Sequence, residues 1–305
     1  MEIINYFSKN IIPILQRLNE AERFKEIEEI RLRSNKNIII KLSNEELILN
    51  YMVTTSDILE TLEKITENSV YSYENQIVQG YITLKGGHRV GITGNAISEN
   101  GKIINISYIS GMNFRIARQI KGCSDFVLEH LYSKGVFKNT LLLGAPGSGK
   151  TTLLRDLIRQ ISNGNSFNKG LNVGVVDERN EISYMYKGNE QSDLGIRTDT
   201  LAGIPKILGI KMLIRSMAPD VIAVDEIGSK MDYENIQYAM CSGVKVLLTA
   251  HGNSIADLQL NQELSQITES KIIERIIILN PKIKEKVEDI YYLNKEKKEY
   301  KRLCI

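Results

Sequence analysis

Residues 139–157 read NTLLLGAPGSGKTTLLRDL. An apolar run stops at a glycine, a glycine-rich turn follows, and Lys-Thr-Thr opens a helical pattern. Gly144, Ala145, Pro146, Gly147, Ser148, Gly149, Lys150 and Thr151 fill G-x-x-x-x-G-K-[ST] in full. Such a turn needs a strand before it and a helix after it. The glycines let backbone N–H groups turn inward, and the helix adds its positive end at the same point. The stretch Gly144–Thr152 is therefore expected to hold the phosphates of ATP. Lys150 brings a cation to the β/γ-phosphates, and the Thr151 hydroxyl is placed to ligate Mg²⁺.

Such a site needs an acid across the sheet, and PDVIAVDEIG supplies one. An apolar strand ends in Asp225, expected to hold Mg²⁺ through water, and Glu226, placed to polarise the attacking water. Another strand lies between these two motifs, NVGVVDERNEI, ending in Asp177, Glu178, Arg179 and Glu181. An intervening strand separates the fold from kinases and GTP switches, in which the two motif strands are neighbours. VKVLLTAHGNS ends in Thr249, Ala250 and His251, where a hydroxyl or imidazole reaches the γ-phosphate.

Around these motifs strands and helices alternate. Helix 124–134 is followed by strand 139–143, helix 150–162, strand 171–177, helix 205–217, strand 220–225, helix 231–241 and strand 244–250. Alternation predicts a parallel sheet covered on both faces, with ligands along the carboxyl ends of its strands. The fold class is α/β, with a RecA-like P-loop core at residues 121–305. A smaller α+β domain precedes it at residues 1–120. There, residues 1–22 read as a helix that Pro13 kinks or restarts. EEIRLR and NIIIKL read as strands, TSDILETLEKIT as a helix with a Thr or Ser cap, and GGHRVGITGNAI, KIINISYI and MNFRIAR as three further strands. The stretch near residues 117–125 is the junction.

At 305 residues two domains are the natural division. A formal charge of +2 and the absence of tryptophan argue against a nucleic-acid translocase or helicase, the alternative that the same core permits. Cys123, Cys241 and Cys304 are far apart and form no CxxC, which argues for a reducing compartment. No apolar stretch approaches the roughly 18 residues that span a bilayer, and the N-terminus lacks the pattern of a signal peptide. The terminal NKEKKEYKRLCI reads as a solvated tail.

With GAPGSGKT, VVDERNEI, RSMAPDVIAVDEIG and LLTAHGNS in order, the chain resembles the type II/type IV secretion ATPase superfamily. Within it, GIRTDTLAG, KMLIRSMAPDVIAVDEIG and TAHG are similar to the stage III sporulation protein AA family, and the likeness extends through the first half. The resemblance implies a hexameric ATPase motor, cytoplasmic and recruited to membrane-embedded channel components on the mother-cell side of a developing spore. It gives Glu226 the Walker B role, makes Glu181 the rival general base, and puts His251 in the His box. Many secretion ATPases have Gly-Glu where Asp225-Glu226 stands, proline where Arg179 stands, and a second histidine. A positive group must meet the phosphates from the far side. Arg115 and Arg118, near the junction, and Arg197 and Arg215 are the candidates, supplied by the first domain or a neighbouring subunit.

Overall fold

Two-residue alternation of apolar side chains governs the first part of the chain. In β1 (Ile27–Arg33) and β2 (Asn37–Leu42), Ile30, Leu32, Ile38, Ile40 and Leu42 point to one side and are buried. That period is the pleat of a sheet with one wet face. With β3 (Glu46–Met52), β4 (Tyr81–Thr83), β5 (Arg89–Glu99) and β6 (Lys102–Arg115) they form an antiparallel sheet in the order β3-β2-β1-β6-β5-β4. α1 (Ile12–Glu20), α2 (Thr55–Ile65) and α3 (Glu74–Val78) belong to the same unit. Phe7 and Phe114 stack in its core, ring centroids 4.2 Å apart.

The computed structural model describes residues 2–20, 23–165, 168–260, 262–283 and 286–303. Cys304 lies outside them. The chain divides into two compact units, one of residues 1–118 and 186–191, the other of residues 119–185 and 192–305. The return of residues 186–191 to the first unit has a visible anchor. Glu67 accepts from Tyr186 Oη at 2.6 Å and from Lys187 Nζ at 2.7 Å, and Gly86 N donates to Gln191 at 2.8 Å.

Details of the first unit differ from the expected ones. The N-terminal helix is a 3-10 turn, Glu2–Tyr6, and then α1, with Pro13 in its first turn, where a missing N–H costs nothing. The cap of α2 is Thr54, one residue earlier than expected, in a reciprocal capping box with Asp57. KIINISYI and the first four residues of MNFRIAR form one strand, β6, and ELILNYM adds β3.

Asp57 does more than cap. Its buried carboxylate accepts from Ser8 Oγ at 2.7 Å, Asn10 Nδ2 at 3.1 Å, Tyr51 Oη at 2.9 Å, Thr54 N at 2.9 Å and Thr54 Oγ1 at 2.8 Å. Burial alone would raise its pKa, but these donors outweigh it and pull the value from 3.8 to about 2. A lowered carboxylate pKa stabilises the fold above its unfolded value and is lost as pH falls through the folded one. Asp57→Ala should cost about 2 kcal/mol or more at neutral pH. The deficit should shrink between about pH 4 and pH 2 when urea unfolding of the two proteins is compared. A deficit unchanged at pH 2 would contradict this assignment.

In the second unit, α4 (Asp125–Leu128) leads to the short hairpin of β7 (Tyr132–Ser133) and β8 (Val136–Phe137), so the helix expected over 124–134 ends early. The main sheet contains β9 (Thr140–Gly144), β10 (Val173–Asp177), β11 (Thr198–Ala202), β12 (Val221–Val224), β13 (Lys245–His251), β14 (Arg275–Leu279), β15 (Val287–Asn294) and β16 (Glu299–Arg302), in the order β11-β10-β12-β13-β9-β14-β15-β16. The first six in that order are parallel, and β15 and β16 close the edge antiparallel. This is the expected α/β class, extended by strands that the sequence reading missed. EYKR, read as part of a solvated tail, is β16.

The centre of the sheet is fully buried, as parallel strands require. Every residue of β9, β10 and β12 is buried. α5 (Lys150–Asn163), α6 (Lys206–Met217), α7 (Lys230–Cys241), α8 (Ile255–Leu260) and α9 (Gln262–Glu269) complete the unit. Among the described residues no helix is long and apolar enough to cross a membrane.

Candidate functional site

The carboxyl ends of β9, β10, β12 and β13 gather the motif residues. α5 begins where β9 ends. α2 and α7 have capping boxes, whereas α5, like α6, has no side-chain cap. Its N-cap is Gly149 at φ +94°, a left-handed conformation that suits glycine. The first N–H groups of a 14-residue helix are thus left for a ligand. Gly144 is needed for space: a Cβ there would lie 2.5 Å from Ser148 Oγ. Ser148 Oγ is itself buried and has no hydrogen-bond partner. An orphaned donor inside a turn of inward N–H groups suits a phosphate.

Lys150 is 7% exposed and folded back over the turn. Nζ donates to Gly144 O and Ala145 O, both at 2.9 Å, and lies 3.2 Å from His251 Nδ1. Burial pulls its pKa down, against the opposing charges of Asp225 and Glu226. An ammonium can only donate, so His251 Nδ1 accepts and Nε2 carries the proton. Nε2 is 2.7 Å from Glu226 Oε1. The other oxygen, Oε2, is held by Arg179 Nη1. Four side chains from four segments thus form one chain: Lys150, His251, Glu226, Arg179.

A second chain lies beside it. Thr151 Oγ1 donates to Asp225 Oδ2 at 2.7 Å, and Thr249 Oγ1 donates to Asp225 Oδ1. Thr249 Oγ1 also accepts from Glu226 N at 2.8 Å. Glu226 sits at φ +56°, a costly conformation for a residue with a Cβ. Its carbonyl accepts from Lys206 Nζ at 2.7 Å. The strain aims the carboxylate at His251 and Arg179. Burial raises the Glu226 pKa, but His251, Arg179 and Lys206 together pull it below its ordinary value. Thr151 and Asp225 offer the hard oxygens that Mg²⁺ prefers. They fit a metal whose remaining ligands are water and phosphate.

Asp177 has a different task. Its buried carboxylate accepts from the N–H groups of Glu181, Ile182 and Ser183 at 2.8, 3.1 and 2.8 Å, and from Ser183 Oγ at 2.7 Å. Arg155 of α5 adds bonds to Glu181 O at 3.1 Å and Tyr184 Oη at 2.7 Å. These bonds fix the 178–184 loop against the P-loop helix. Glu181 and Glu226 line one crevice of about 10 Å³, close to the size that holds a single water. A larger cleft of about 530 Å³ opens beyond Glu226, bordered by Arg179, Lys206, Met231, Asn235 and His251.

Residues 1–298 match the family described as sporulation stage III, protein AA. The chain belongs to that family. Stage III sporulation protein AA of Bacillus subtilis (strain 168) is 39% identical over 259 residues, covering 85% of this chain and 84% of that protein. The fold is shared with the ATPase DotB of Legionella pneumophila, at TM-score 0.57 and 17% identity over 93% of this chain and 81% of that one. It is also shared with the pilus retraction motor PilT, solved with bound ADP, at TM-score 0.53 and 19% identity over 85% and 76%. The second unit of this stage III AA protein is thus a RecA-like P-loop core.

Of the four arginines singled out from the sequence, Arg197 and Arg215 lie in the second unit, away from this edge of its sheet. Arg115 and Arg118 belong to the first unit, where Arg118 donates to Ile27 O at 2.6 Å. Arg197 donates to Ser162 O at 3.0 Å, at the far end of α5, about 20 Å along the helix from Lys150. Arg215 is exposed in the last turn of α6, which leads into the opposite edge of the sheet. Among the described residues, Arg179 and Lys206 are the cations bonded to Glu226. Arg179 was visible in the sequence only as one of four charges in a loop. Its partner became apparent once β10 and β12 were seen to be neighbours.

The strand order corrects a further expectation. The strand between the P-loop strand β9 and the acidic strand β12 is β13, which carries His251. β10 lies on the other side of β12. This order is why His251 reaches both Lys150 and Glu226.

Proposed function

We propose that this stage III AA protein is an ATP-hydrolysing motor of a secretion-like channel in endospore formation. The observation that supports this most is the convergence of Lys150, His251 and Glu226, and of Thr151 and Asp225, at the uncapped start of α5. Glycines 144–149 and the α5 N-terminus bind the triphosphate, and Lys150 leaves Gly144 O and Ala145 O for its β/γ oxygens. Thr151 and Asp225 would hold Mg²⁺, which would supply neutralisation of the phosphate charge. Glu226 takes the proton of the attacking water as general base, and Glu181, on the same crevice, helps to place that water. His251 orients Glu226 and links it to Lys150.

The working form is a homo-oligomer, a hexamer, cytoplasmic and recruited peripherally to membrane-embedded channel components on the mother-cell side. Support comes from family membership and from the fold shared with DotB and PilT. In this form Arg115 acts across to the nucleotide of an assembled ring. Phosphate release from the full-length protein with Mg²⁺ and ATP should rise per subunit with protein concentration, and Arg115→Ala should flatten that rise. Rates per subunit that are constant down to clear monomer would rule out a shared site. No hydrolysis at any concentration, with ATP bound, would rule out the motor.

A further inference from the structure

The cleft beyond Glu226 is bordered by a cation that neither the P-loop motif nor the acidic strand accounts for. Arg179 lines both this cleft and the small crevice that holds Glu181, Asp225 and Glu226. Lys206, the other cation there, is fixed: it is 17% exposed and bonds to Glu226 O at 2.7 Å and Glu178 at 3.4 Å. Arg179 is 64% exposed, and its partner Glu226 is 32% exposed. An ion pair so open to water is held weakly. A triphosphate arriving on the P-loop brings a much higher charge density to the same space. The guanidinium fork matches phosphate oxygens in pairs, as a lysine cannot.

Resting on the nucleotide site just described, we propose that Arg179 is a catalytic residue supplied from within the subunit. It holds the Glu226 carboxylate before ATP binds, and it moves to the γ-phosphate when ATP is present. The move does two things at once. It places positive charge opposite Lys150, where negative charge develops during transfer. It also frees Oε2 of Glu226, which must be unoccupied to accept a proton from water. The other end of the chain responds in the same direction. When Lys150 turns to the phosphates it gives up its contact with His251, and Glu226 is left with the imidazole alone. Glu226 therefore becomes available only when a γ-phosphate is present. ADP, lacking that group, leaves Arg179 on Glu226.

The test uses the full-length protein with Mg²⁺, and compares wild type, Arg179→Ala and Arg179→Lys. Affinities for ADP and for a non-hydrolysable ATP analogue are measured by calorimetry, and kcat by phosphate release. Arg179→Ala should weaken the analogue about tenfold or more, since a charged hydrogen bond to phosphate is lost. It should leave ADP within about twofold, and lower kcat at least about tenfold. Arg179→Lys should lie between the two. Unchanged preference for the analogue over ADP overturns the inference. So does an equal loss for both nucleotides, which marks a structural role, or a kcat that rises, which marks a purely inhibitory contact. If wild type hydrolyses ATP while Arg179→Ala behaves like it, this inference alone fails. If wild type binds neither nucleotide, the ATPase reading fails with it.

Discussion

Glu226→Gln should lower kcat for ATP hydrolysis at least about a hundredfold while ATP stays bound, as expected when a general base is removed. The substitution keeps the shape of the side chain and removes its capacity to take a proton. The backbone at Glu226 is held by Thr249 Oγ1 and by Lys206, not by the carboxylate, so the loop should stay in place. Single-turnover phosphate release, with nucleotide affinity measured beside it, separates chemistry from binding. A rate within about threefold of wild type would move the base elsewhere. Glu181 is then next, because it lines the same crevice. With Glu226 as base, Glu181→Gln should cost less than about tenfold.

Lys150→Ala should weaken nucleotide binding by about a hundredfold, in line with the 1.5–3 kcal/mol of a hydrogen bond to a charged group and the loss of its charge. It differs from the Glu226 change by acting on binding as well as turnover. Lys150 also bonds to both Gly144 O and Ala145 O. Thermal unfolding without nucleotide is the control for that role. A variant that unfolds like wild type and still binds ATP tightly would mean that the phosphates do not sit on this turn.

Much of the site was legible because its chemistry needs certain residues in fixed local order. Gly144 to Thr151 can serve one known geometry, and the structure has the strand, the turn and the helix that it demands. Asp225 and Glu226 follow an apolar strand, and such a strand in an alternating chain ends at the ligand edge. Less was legible where a residue's meaning depends on a distant partner. Asp177 looked like one acid among several, yet it folds its own loop by accepting four bonds. Arg197, one of four candidate cations in the sequence, bonds to the end of α5. Short strands such as EYKR carry too little period to show in the sequence. They form because β15 offers them an open edge.

The sequence by itself determined that a glycine-rich turn of P-loop pattern lies between a buried strand and a helix, with an acidic pair and a histidine at the ends of later strands. Turn geometry and strand burial are local properties, written in adjacent residues. Only the tertiary structure decided the order of those strands. Parallel strands can be threaded in several orders by crossovers of equal quality, because hydrogen bonding along a strand does not identify its neighbour. Setting β13 between β9 and β12 joins Lys150 to Glu226 through His251, and setting β10 beside β12 gives Glu226 to Arg179.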